Sequence, residues 1–249
     1  MYYPKVAVML KHTLTLAVLC LSFTSLAQSI SDIQALQREN NLISQQNAAF
    51  KDIKLTRVAE YNTDFEKNPL VYENWMPGAI LFNADQKADS ILLNIDAHLL
   101  TLVFKLSAEY NPFKVENDEI SGFIIYGLEN RLFVRKYKSD FKELRNELPF
   151  FEILFENDNY TVLKQETKRL ASGNSEISYT TKSEDKYKVD INYFFRNRAS
   201  LFEDVFLNKR GFKAMSSESQ YDEIQDFVKE HKLKWGDEAD MIKVFKKFF

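Results

Sequence analysis

The sequence predicts an α+β chain that is mainly β: an antiparallel open barrel or sandwich followed by three short C-terminal helices. Two observations carry this expectation. Between Leu70 and Asn197 apolar residues alternate with polar ones over short segments, and after Asn197 the apolar period changes to that of a helix. Alternation implies one buried and one wetter face, which antiparallel sheets accept and parallel sheets rarely do.

The chain opens on Lys5 and Lys11, an apolar run from Thr13 to Leu21, and Ser25-Leu26-Ala27 ahead of Gln28. This order reads as a secretory signal peptide over 1–27, with an apolar run too short to span a bilayer. Cys20 raises the rival reading of a lipoprotein, but Leu19 stands where a lipobox needs a small residue. The chain has 33 Lys and Arg against 36 Asp and Glu, a net charge of −3. Losing Lys5 and Lys11 takes the mature chain to about −5, which argues against nucleic acid. Cleavage also removes the single cysteine, so the mature protein is held by packing without disulfides.

Residues 28–68 form a polar segment in which Ile30, Ile33 and Leu36 fit one helical stripe, capped by Ser29 or Ser31. The β-domain is expected over 69–197. Leu100, Leu102, Phe104 and Leu106 share one strand face, opposite Thr101, Val103 and Lys105; Ile91, Leu93 and Ile95 alternate in the same way. Further strands are predicted over Ala79–Asn83, Ile120–Tyr126, Leu132–Tyr137, Phe151–Glu156, Tyr160–Gln165 and Tyr187–Phe195. Asn157-Asp158-Asn159 joins two of them as a hairpin. Ser139–Leu148 reads as a short helix capped by Ser139 and stopped by Pro149, and Ala171–Glu176 as an exposed loop.

The helical segment spans 198–249. Ser200 and Glu203 have capping-box spacing ahead of Leu201–Leu207, with Lys209-Arg210-Gly211 as its end. Ser217 and Gln220 repeat the device ahead of Tyr221 to His231. Asp237 and Glu238 open a last helix that carries Met241, Val244, Phe245 and Phe248.

Candidate chemistry is sparse, and no cofactor is implied. Three histidines are too few and too scattered for a zinc site; His98 falls in a turn and His231 at a helix end. No Gly-x-Ser-x-Gly elbow and no phosphate-cradling glycine loop occurs. Glu152 and Glu156 sit roughly 13 Å apart along one strand, beyond the roughly 5–9.5 Å of glycosidase pairs. A carboxylate pair assembled from different strands stays open. The acidic runs 116–119 and 156–159 lack EF-hand spacing and read as solvated turns. Asp89-Ser90-Ile91 has the form of an Asp-Ser/Thr-apolar O-glycosylation acceptor. Tyr72, Trp75 and Trp235 are the candidate ligand-binding aromatics. Phe249 ends a helically spaced segment, which excludes a membrane barrel's terminal strand.

Asn68-Pro69-Leu70-Val71-Tyr72-Glu73-Asn74-Trp75-Met76-Pro77-Gly78, followed by Leu92-Leu93-Asn94-Ile95 and Leu102-Val103-Phe104, resembles the start of an uncharacterised group of secreted Bacteroidetes proteins. Ile120-Ser121-Gly122-Phe123, Arg131-Leu132-Phe133-Val134 and the Lys-rich run from Phe227 to Lys243 resemble it too. Asn68 replaces the group's usual glycine, and Ser139–Pro149 looks like an insertion. The resemblance implies a Gram-negative envelope or secreted location and a β-rich architecture. It implies no activity and no site residues.

Together these readings describe an exported, non-enzymatic ligand- or partner-binding module of the envelope, an expectation that rests on the lack of catalytic motifs. The partner is an envelope protein, a glycan or an apolar ligand. The alternatives are a carboxylate-dependent glycan hydrolase and a lipocalin-like carrier.

Overall fold

The computed structural model describes residues 37, 38, 41, 43–45, 47–51, 53–83, 86–145, 147–171, 186–198 and 200–249. The expected signal peptide, the Ile30–Leu36 stripe and the loop beyond Ala171 lie outside them. Contacts divide the chain into units 1–51 and 52–249. In the first, residues 37, 38, 41 and 43–45 are helical, and Asn47 caps a 3₁₀ turn at Ala48–Phe50 by accepting from the Ala49 amide at 3.3 Å.

Among its described residues the second unit has eleven strands: β1 (Leu55–Arg57), β2 (Met76–Phe82), β3 (Lys87–Asp96), β4 (Thr101–Lys105), β5 (Phe113–Val115), β6 (Ile120–Ile125), β7 (Arg131–Arg135), β8 (Phe150–Glu156), β9 (Tyr160–Ala171), β10 (Lys186–Asn197) and β11 (Glu203–Val205). They form one antiparallel, unclosed sheet in the order β1-β5-β4-β3-β2-β6-β7-β8-β9-β10-β11. Three helices follow or interleave with its end: α1 (Lys209–Met215), α2 (Glu218–Glu230) and α3 (Glu238–Phe248). The predicted mainly-β class with C-terminal helices is the observed one.

Register assigns the side chains to two faces. The first face carries Ile80, Leu93, Phe104, Phe113, Phe123 and Phe133, all buried. Fully burying each such side chain contributes about 1.5–3 kcal/mol, so this face dominates the sheet's stability. Phe123 stacks on Phe133 with ring centroids 4.3 Å apart and meets Phe150 edge-on at 5.5 Å. Farther along, over β8–β10, the helices cover the same face: Val162 packs with Leu207, Phe212, Ile224, Val228, Met241, Val244 and Phe245. On the second face Phe151, Leu163 and Phe194 pack with Phe141 and Phe202.

Side chains set the turns. Asn157 Oδ1 accepts from the amides of Asn159 and Tyr160 at 3.0 and 2.8 Å, closing the predicted β8–β9 hairpin. Ser217 caps α2 and Asp237 caps α3 through the Gln220 and Asp240 amides, at the expected positions.

Two predicted helices are corrected. Ser139 caps nothing: Lys138–Asp140 is one 3₁₀ turn, reached by the Tyr137 amide donating to Asp140, and Phe141 then bridges Phe202 in parallel. Burial of Phe141 and Leu148 against the sheet wins over helical spacing. Leu201–Leu207 is likewise no helix, because Glu203–Val205 extends the sheet as β11. Helix α1 instead starts at Lys209, where its end was expected, and Asn208 caps it through the Gly211 amide at 3.1 Å. Among the described residues no helix is long and apolar enough to cross a membrane.

Candidate functional site

Past the apolar part of the first face, the sheet carries charge. Glu152 on β8, Lys164 on β9 and Tyr193 on β10 stand abreast, and Glu166 follows two residues along β9 on the same side. Arg131 of β7 grips Glu152 with two bonds, Nε at 2.8 Å and Nη2 at 2.6 Å, and reaches Glu166 at 3.4 Å. Lys164 Nζ lies 2.6 Å from Glu166 and 3.0 Å from Glu238, in the first turn of α3. The Tyr193 hydroxyl donates to Glu238 at 2.8 Å. One chain of alternating charges thus ties β7, β8, β9, β10 and α3 together.

The two carboxylates Glu152 and Glu166 form the cross-strand pair that strand-by-strand reading could not see. Their chemistry is constrained by their partners. Burial pushes the Glu166 carboxyl up, but Lys164 and Arg131 outweigh it and hold it below the usual carboxylate range. Burial opposes charge on Arg131 and Lys164 as well, yet the carboxylates keep both above their ordinary values. A general acid needs a raised carboxyl, and Glu166 is displaced in the opposite direction.

Lys168, two residues beyond Glu166 on the same face, has main-chain acceptors. Its ammonium donates to the carbonyls of Phe65 at 2.7 Å and Asn68 at 3.2 Å, with the Phe65 ring centroid 3.2 Å away. Burial pushes its pKa down to about 8. These bonds fasten the 65–68 segment across β9, and Lys186 pairs with Glu66 beside them.

The three predicted ligand-binding aromatics lie apart. Tyr72 sits in the irregular stretch before β2, where Asn94 accepts from the Tyr72 amide at 3.1 Å and donates to its carbonyl at 2.8 Å. Its ring faces Arg131 at 5.4 Å, and its sealed hydroxyl has no hydrogen-bond partner among the described residues. Burial, helped by the Glu166 charge, drives that phenol well above its ordinary value. Trp75 packs near Tyr61, ring centroids 6.2 Å apart, under the Lys105 ammonium at 5.0 Å. Trp235 meets Phe212 edge-on at 5.8 Å within the helical cluster. His98 lies in the β3–β4 turn, its amide donating to Asp96, and His231 caps α2.

Two open clefts flank the segment that leaves β11. One, about 350 Å³, is lined by Phe195, Val205, Phe206, Ala214 and Met215, with Glu203, Asp204 and Arg210 among its polar groups. The other, about 250 Å³, is bounded by Ile191, Tyr193, Val205, Phe206 and Arg145. They share Asp204, Val205 and Phe206, and Phe206 is 67% exposed. Ile191 and Val189 on β10 are also exposed, at 48% and 44%. Large apolar side chains gathered on one margin mark an interaction surface more strongly than scattered ones do. Sequence reasoning missed this margin because it placed Leu201–Leu207 in a helix.

No protein-family model, no curated protein and no solved structure matches the chain.

Proposed function

We propose that this chain is an exported, non-enzymatic binding module of a Gram-negative cell envelope, acting in the periplasm or outside the cell. Its binding surface is the margin formed by β10, β11 and α1. The observation that carries this reading is the pair of clefts that meet at exposed Phe206, on a sheet whose inward acids are already tied to bases. The leader-like residues 1–27 and the resemblance to secreted Bacteroidetes proteins support the compartment.

The closeness of Glu152 and Glu166 favours a second reading, a glycan hydrolase, and the Arg131 and Lys164 ion pairs weigh against it. The unclosed sheet weighs against a lipocalin-like barrel.

The test is photocrosslinking of the full chain in a Gram-negative host, with a benzophenone amino acid at Phe206 and, as control, at exposed Leu128. An exported, shortened chain with adducts from Phe206 alone is expected. Cytoplasmic retention, or equal adducts from both positions, overturns the proposal. Polysaccharide cleavage abolished by Glu152→Gln would establish the hydrolase instead.

A further inference from the structure

We infer that the cleft between β10–β11 and α1 binds a small organic anion with an apolar body, and that Arg210 anchors its charged group. This rests on the reading of the same margin as a binding surface and adds the ligand's chemical class.

The argument begins with the charges at the cleft. Glu203 is paired with Lys142 at 2.5 Å, and Asp204 with Arg145 at 3.8 Å. Glu203 is closely paired, and Asp204 has a longer, exposed partner. Arg210 is exposed and in no ion pair among the described residues. Counting Lys142 and Arg145, which lie outside its lining, three bases stand against two acids about the cleft, and Arg210 is the base left over; a guanidinium suits carboxylate, sulfonate or phosphate oxygens by forked hydrogen bonding.

Local packing positions that charge. A Cβ on Gly211 would stand 1.9 Å from the Phe206 carbonyl oxygen, so α1 can seat here only with glycine at this position. The contact sets the backbone next to Arg210, and Arg210 and Phe206 line the same cleft. Phe195, Val205, Ala214 and Met215 supply apolar lining. At about 350 Å³ the space falls within the roughly 300–1,000 Å³ of small-ligand sites. An anion on Arg210 can therefore extend an aliphatic or aromatic body over this lining while its charged end stays wet.

Calorimetric titration of the full chain with octanoate, octanol and octylamine tests the inference. Octanoate is expected to bind more tightly than the other two. Arg210→Gln should weaken octanoate about tenfold, equivalent to about 1.4 kcal/mol, and leave octanol unchanged. Ala214→Trp, a substitution at an exposed helix position, should fill the cleft and abolish octanoate binding. Equal binding of octanoate and octanol, or no effect of Arg210→Gln, overturns the anionic anchor while leaving the binding surface in place. Absence of binding by all three probes also overturns the inference. The photocrosslinking result at Phe206 does not depend on these probes, so it separately decides the underlying reading.

Discussion

Strands β2–β6 and strands β7–β10 present the same face of one sheet, yet they fill it with different chemistry. Across β2–β6 the face is aliphatic and aromatic, with Ile80, Leu93, Phe104 and Phe123 sealed from water. Across β7–β10 it adds to apolar Phe133 and Val162 a row of Arg131, Glu152, Lys164, Glu166 and Lys168, roofed by Glu238 and the 65–72 segment. The first half gains from burial whatever its exact partners. The second gains only if every charge keeps its partner, because burying an ion is costly unless a counter-charge or hydrogen bonds compensate it. The contrast teaches where the molecule tolerates change: in volume but not polarity in one half, and in neither member of a pair alone in the other.

The largest expected effect breaks the apolar half. Phe123→Ala removes a ring stacked on Phe133 and should cost about 3–5 kcal/mol in chemical denaturation. A loss under about 1 kcal/mol would mean that the two halves are not distinguished by packing.

Next comes the charged half. Arg131→Met strands Glu152 and leaves Glu166 with Lys164 alone, for an expected loss of about 2–4 kcal/mol. Adding Glu152→Leu should recover much of that loss. A double variant as unstable as the sum of its parts would show that the pair does not act as a unit.

A smaller effect concerns pH. Lys168 titrates near 8 in the folded chain and near 10.4 when unfolded, so between these values the unfolded chain binds more protons. Stability should therefore rise with pH from about 8 to 10, by the order of 1 kcal/mol after solvent screening. Lys168→Met should flatten that rise. Above about pH 10 stability should fall again, because burial raises the Tyr61, Tyr72 and Tyr193 phenols and they ionise first in the unfolded chain. Unfolding free energies measured from pH 7 to 11 check both signs. A curve for Lys168→Met that parallels the original chain would rule out this assignment.

The smallest effect lies outside both halves. Ser217→Ala removes the α2 cap and should cost about 1 kcal/mol, equally at pH 7 and pH 9. A pH-dependent cost would mean that the helical layer shares the electrostatics of the charged row.

The sequence reads clearly where an element is long and its two faces differ. Strands β3, β4 and β10 declare themselves through alternation, and α2 and α3 through caps that the structure uses. Strands β1, β5 and β11 have three residues each, too few for a period to register. The Ser200–Glu203 spacing imitates a capping box, but Glu203 pairs with Phe195 across strands. Gly211 reads as a helix stop, whereas close approach to the Phe206 carbonyl requires it. Strand β9 runs on to Ala171, past the predicted end at Gln165, through the polar run Glu166, Thr167 and Lys168. The Lys164-x-Glu166-x-Lys168 alternation of opposite charge was the available sign that polar residues continue one strand face. The clefts join residues from β10, β11 and α1, and no local pattern reports such a meeting.

The strand order has a consequence for how the chain acquires its structure. Neighbours β2–β5 and neighbours β6–β10 are each sequential in the chain, so either meander can zip from short hairpins. They meet only where β2 pairs with β6, at a seam where a Cβ on Gly78 would lie 2.2 Å from the Ile124 carbonyl oxygen. Joining distant segments requires loop-closure entropy that local hairpins do not. A chain emerging N-terminus first completes one meander, waits for β6, and then grows the second from that template. Pulse-labelled hydrogen exchange during refolding should accordingly protect the β3–β4 amides before those shared by β2 and β6.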